Sequence, residues 1–127
     1  MDKGENTRSM IQLAIAALAL WGWFGMLISV EVAIPSQEGR AAEAYPTDGY
    51  TTCRIVLHPG LDERDYPGML LHEIGHCVGH YEHSDEPGNI MQNGGHNGRI
   101  TVTNLLTVKE VRDQRLTFRI IVQRISR

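Results

Sequence analysis

Four of the six histidines fall between positions 72 and 83, in the run HEIGHCVGHYEH. His72 and His76 are four residues apart, and Glu73 stands between them. A helix advances by ~100° per residue, so His76 falls about 40° from His72, one turn further along. Two imidazoles leaving one helical face at this spacing can ligate a single zinc ion. A carboxylate on the flank of that face, here Glu73, can take a proton from a water activated by the metal. Leu70, Leu71, Ile74, Cys77 and Val78 spread over the opposite face and predict the side that is buried.

A catalytic zinc takes three protein ligands and keeps one position open. On one straight helix His83 would lie about 16 Å along the axis from His72. The chain must therefore turn back, and Gly79 is a residue that permits it. His83 then approaches from the side. Glu82 and His80 are the other donors near enough in sequence to compete for the third position.

The stretch from His72 to Met91, HEIGHCVGHYEHSDEPGNIM, resembles the metzincin zinc peptidases, and their matrixin branch most. The signature of that family is H-E-x-x-H-x-x-G-x-x-H followed by a methionine turn beneath the metal. The resemblance implies zinc on His72 and His76, Glu73 as general base, Gly79 as the turning glycine and Met91 as the turn methionine. Ser84, Asp85, Pro87 and the Ile90-Met91 pair also resemble matrixins. The pattern puts its third ligand at Glu82, whereas His83 comes one residue late. His83 nevertheless precedes Ser84 and stands eight residues before Met91, as in matrixins, which implies a one-residue insertion among His80, Tyr81 and Glu82. The activity implied is internal cleavage of a protein or peptide substrate, with Zn2+ as cofactor. Two readings from other classes stand beside it. One is a thermolysin-like zinc hydrolase that recruits Glu110 as third ligand. The other is a membrane-tethered module that binds zinc without catalysis.

The elements that must position these groups are few. A helix is expected from about Pro67 to Val78, with proline in its first turn and Gly79 at its end. Thr51 to His58 is rich in β-branched residues and stops at Pro59-Gly60, so it reads as a strand and a turn. By the resemblance it is the edge strand bordering the substrate cleft. Thr107-Val108-Lys109-Glu110 matches a capping box and predicts a C-terminal helix from about Val108. That helix carries Arg112, Arg115, Arg119, Arg124 and Arg127, a set read as a solvated face. Cys53 on the strand and Cys77 on the buried side of the helix are either a disulfide or two small buried hydrophobes. His58 and His96 read as surface residues.

The chain has 127 residues, enough for one domain. Met10 to Val30 is a run of 21 residues interrupted only by Gln12 and Ser29. This length suits a membrane-spanning helix. The expected organisation is a tail (1–9), a transmembrane helix or signal anchor (10–30), a linker (31–49) and a zinc-peptidase-like domain (50–127). Lys3 and Arg8 before the run favour a cytoplasmic N-terminus and an extracellular or periplasmic domain, secreted if the run is cleaved. Residues 31–95 carry eleven acids against three bases, and the whole chain has net charge −3, which excludes a typical nucleic-acid binder. The fold class expected is a small α+β domain with a short sheet, a metal helix, a methionine turn and a C-terminal helix.

Overall fold

The computed structural model describes residues 3–22, 26–47, 51–95 and 97–125, with side chains between 11 and 114. The chain runs through α1 (Lys3–Trp21), β1 (Leu27–Val32), β2 (Ala42–Pro46), β3 (Thr52–Leu57), a 3-10 turn (Glu63–Asp65), α2 (Tyr66–Cys77) and α3 (Val102–Ile125). This is a small α+β domain with a three-stranded sheet and three helices.

β3 lies in the middle of the sheet, in the order β1-β3-β2. It pairs in parallel with β1, Leu27 opposite Thr52, and antiparallel with β2, Ala42 opposite Leu57. Alternation along β3 turns Cys53, Ile55 and Leu57 to one face, and all three are buried in the core with Leu70, Ile74 and Cys77 of α2. Thr51–His58 was expected at the edge of the sheet. It is central because the preceding hydrophobic run and the expected linker each supply a strand to flank it. The edge beside α2 is β2, within residues 31–49. Thr47 closes the β2–β3 connection, its N–H donating to the Thr52 carbonyl at 3.0 Å.

The run 10–30 is not one helix. α1 ends at Trp21, Gly22 turns at φ +70°, and β1 begins at Leu27. The expected transmembrane span is thus divided between a helix and a strand, and among the described residues no helix is long and apolar enough to cross a membrane. α1 packs against α2 through Ala14, Ala17 and Trp21, at i, i+3 and i+7. Its larger residues Ile15 and Leu20 point outward, 64% and 63% exposed.

α2 matches the expected helix to within one residue at each end. Pro sits in its first turn, the Val78 N–H donates to the Ile74 carbonyl, and Gly79 follows at φ +122°. The His80 N–H then donates to the Gly75 carbonyl at 2.9 Å, the six-to-one bond of a Schellman ending. A Cβ on Gly79 would also lie 2.9 Å from the Val111 side chain, so glycine here permits both the turn and the approach of α3. The capping box at Thr107 is displaced: Thr107 Oγ1 donates to the Thr103 carbonyl within the helix. α3 begins earlier, at Thr101 and Asn104. The Thr101 N–H donates to Asn104 Oδ1 at 2.9 Å, and the Asn104 N–H donates to Thr101 Oγ1 at 3.4 Å. Asparagine replaces the Glu or Gln of the usual box, which hides the signal.

Cys53 and Cys77 form a disulfide, with Cα atoms 5.8 Å apart. It ties the last residue of α2 to the central strand and closes a loop of 24 residues. By chain entropy such a loop stabilises by about 3 kcal/mol. The Cys53→Ser/Cys77→Ser double variant should therefore unfold at a lower urea midpoint, by about that free energy. A midpoint equal to that of the oxidised wild type would show that the bridge adds nothing.

Candidate metal centre

His72 and His76 stand one turn apart on α2 with ring centroids 4.8 Å apart. His83, on the returning segment, lies 5.3 Å and 5.2 Å from them by the same measure. One ligand atom from each of the three falls within 4.8 Å of the others. The three histidines are therefore close enough to bind one metal ion.

The hydrogen bonds at the rear of the rings decide what the front can do. His72 Nδ1 faces the Ile90 carbonyl, and His76 Nδ1 faces the His80 carbonyl at 2.9 Å. A carbonyl only accepts, so each Nδ1 carries the proton and donates it. The two Nε2 atoms are then left with lone pairs, and they face each other at 3.2 Å. Two lone pairs at that distance repel unless a cation lies between them. Burial, with the His72 charge next in size, pushes His76 down to about 4, although its bond to His80 opposes this. A proton is thus a poor candidate for that cation near neutral pH, and a metal fits. Nitrogens about 2.0–2.1 Å from one zinc at tetrahedral angles stand about 3.3 Å apart.

The turn at Ile90-Met91 makes this arrangement possible. Met91 is fully buried beneath α2. Its thioether packs on Gly75, where any Cβ would collide with Sδ and stand 3.0 Å from Trp21 Cζ2. The same turn presents the Ile90 carbonyl to His72. The Met91 carbonyl accepts from the Ser84 N–H at 2.8 Å, which holds the residue after His83 in place. Buried Asn89 stiffens the turn by accepting the Met91 N–H on Oδ1 at 2.8 Å.

The other donors are placed elsewhere. His80 has both nitrogens engaged: Nδ1 donates to the Glu82 carbonyl at 2.9 Å, and Nε2 accepts from Asn104 Nδ2 at 2.9 Å. It braces the loop against α3. Glu82 is exposed and lies outside the triad. Glu110 sits on the exposed face of α3 near Lys109 and Asp113, also outside it. His58 Nδ1 accepts the Gly60 N–H at 2.9 Å and so caps the turn after β3. Arg112 donates to the Gly22 carbonyl, linking α3 to the end of α1. His96 and the side chains of Arg115, Arg119, Arg124 and Arg127 lie outside the described residues.

Glu73, on the flank of the histidine face, is only 6% exposed. Residues of the 33–41 loop and of β2 line the same depressions as Glu73. Burial pushes its carboxyl up to about 7, against the Arg40 charge and with that of Glu43. Both neighbours come from the expected linker, so neither was singled out by motif. Gly75 likewise carried no signal beyond being the variable position before His76.

No family model matches this chain, and no curated protein or solved structure matches it.

The raised Glu73 carboxyl has a measurable sign. Unfolding returns it to an ordinary value near 4.5, so its ionisation weakens the metal-free fold as pH rises from there through about 7. Glu73→Gln removes this ionisation. In chelator-treated protein the variant should melt higher than wild type at pH 8 and close to it at pH 4, a difference on the order of 3 kcal/mol. His76 titrates in both proteins and drops out of the comparison. Equal melting at pH 8 would contradict the burial argument.

Proposed function

We propose that the chain is a zinc-dependent peptidase, similar to the matrixins in the segment that holds the metal. The observation that carries the reading is the pair of opposed Nε2 lone pairs, with His83 and a buried carboxylate beside them. Three imidazoles suit zinc by ligand type, and a three-histidine set leaves a fourth position for chemistry. His72, His76 and His83 would hold the ion. Bound zinc supplies Lewis acidity to a scissile carbonyl and to the attacking water.

The remaining roles fall to the chain itself. Glu73 takes the proton of the attacking water and delivers it to the leaving amine. Burial raises its carboxyl in the metal-free protein, and a bound cation would pull it back down, towards the ionised form that accepts a proton. Met91 supports the floor of the site and does not touch substrate. β2 ends the sheet beside the triad, with Glu43, Ala44, Tyr45 and Pro46 lining the same depression as Glu73, His76 and His83. An extended peptide laid along this edge would pair with its outer backbone groups. Hydrolysis of an internal peptide bond, without an acyl-enzyme, is the reaction this arrangement supports best.

The test is proteolysis of unfolded casein by the zinc-loaded chain, with Glu73→Gln in parallel. Loss of the general base should lower the rate by 10²-fold or more, on the order usual for such groups, while zinc content stays the same. Undiminished cleavage by the variant would refute the mechanism. Zinc-loaded wild type that cleaves nothing would favour a non-catalytic binding module instead.

A further inference from the structure

Two depressions, of about 420 and 510 Å³, are both lined by Glu73. They share three residues: Glu73, His83 and Arg40. Arg40 is the only Lys or Arg among the described residues that line either one. It comes from the loop between β1 and β2 and lines both depressions.

The loop is built to hold this residue. Buried Glu43 on β2 accepts Ser36 Oγ at 2.9 Å and the Gln37 N–H at 3.0 Å. Tyr45 Oη and Ser36 Oγ share a further hydrogen bond at 2.8 Å. Gly39 turns at φ +83°, and the Arg40 N–H donates back to the Gln37 carbonyl at 3.3 Å. On the far side the Ala41 carbonyl accepts the His58 N–H at 2.8 Å. The backbone of Arg40 is thus anchored from both directions. Its guanidinium has no ion pair or hydrogen bond among the described residues. Glu43 spends its oxygens on Ser36 and Gln37, and the buried Glu73 carboxyl feels the Arg40 charge without forming an ion pair with it.

A guanidinium carried on an anchored loop, exposed, and adjacent to a candidate reaction centre is suited to receive a carboxylate from outside. We infer that Arg40 binds a substrate carboxylate close to the scissile bond, which selects peptides with an acidic side chain or a free C-terminus at that position. Either source presents the same planar oxyanion to the same fork. The inference rests on the peptidase reading for its substrate class, but the binding of carboxylate peptides is measurable without turnover.

The experiment measures fluorescence anisotropy of labelled hexapeptides on the zinc-loaded full chain. One series exchanges Glu for Gln at each position in turn, and another exchanges a free C-terminus for its amide. Wild type should bind one carboxylate form about tenfold or more tightly than its neutral partner, the range expected for a hydrogen bond to a charged group. The series in which the preference appears identifies the source. Arg40→Gln should abolish the preference with zinc content unchanged, which separates Arg40 from direct attraction by the metal. Arg40→Lys should restore part of it through charge alone. Equal binding of all members, binding of none, or a preference that survives Arg40→Gln would overturn the inference. Cleavage assayed in the same samples reports on the peptidase reading separately: a carboxylate preference without cleavage would sink that reading and leave Arg40 as a binding residue.

Discussion

The arrangement depends on two backbone carbonyls. Ile90 and His80 take the Nδ1 protons of His72 and His76, and so aim two Nε2 lone pairs at one point. Neither carbonyl belongs to a regular element. Each is held by a turn whose geometry rests on glycine or on close packing. The His80 carbonyl is available because Gly79 ends α2 with a Schellman bond and because Asn104 of α3 fixes the ring of His80. The Ile90 carbonyl is available because Met91 fits under Gly75 and Asn89 holds the turn. These partners fix ring orientation and tautomer, and the affinity for a metal held by the rings would depend on them as well as on the rings.

A domain with three short strands has little hydrophobic core with which to hold such turns. The structure supplies other restraints. The disulfide fastens the end of α2 to the central strand directly after His76. Metal binding would add a second cross-link, because an ion bound only by the folded triad stabilises the fold by its binding free energy. Against these gains stand the buried Glu73 carboxyl and the opposed lone pairs, both unfavourable in the metal-free protein. Sites of chemistry commonly carry such local conflicts, and the surrounding fold compensates for them.

The helix, its start at proline, its end at Gly79 and its two-histidine face were all legible in the sequence, since each is written in a pattern within a few residues. The strand at Thr52–Leu57 was legible in the same local terms, whereas the sequence left Cys53 and Cys77 as either a bridge or two buried hydrophobes, because the approach of helix to strand is not written in either segment alone. The N-terminal run was read as one helix because apolar length alone does not distinguish one long helix from a helix, a turn and a strand. Gly22, inside the run, was the signal for the break. β2 was hidden among Pro, Gly and acidic residues, because its inward-facing positions are alanines that score poorly as strand. The start of α3 was missed for a chemical reason: Asn104 completes the cap in place of an acid. Arg40 and Glu43 became visible only in three dimensions, because they reach the site across the sheet and not along the helix that carries the motif.

The central claim is that His72, His76 and His83 together hold a metal. The direct measurement is zinc content and X-ray absorption of the purified full chain, with His83→Ala and Glu82→Ala beside it. The account predicts one zinc per chain in wild type, with three nitrogen neighbours at about 2.0–2.1 Å. It also predicts that zinc is lost in His83→Ala and kept in Glu82→Ala. Full zinc retention in His83→Ala, or a wild-type chain that takes up none, would contradict it.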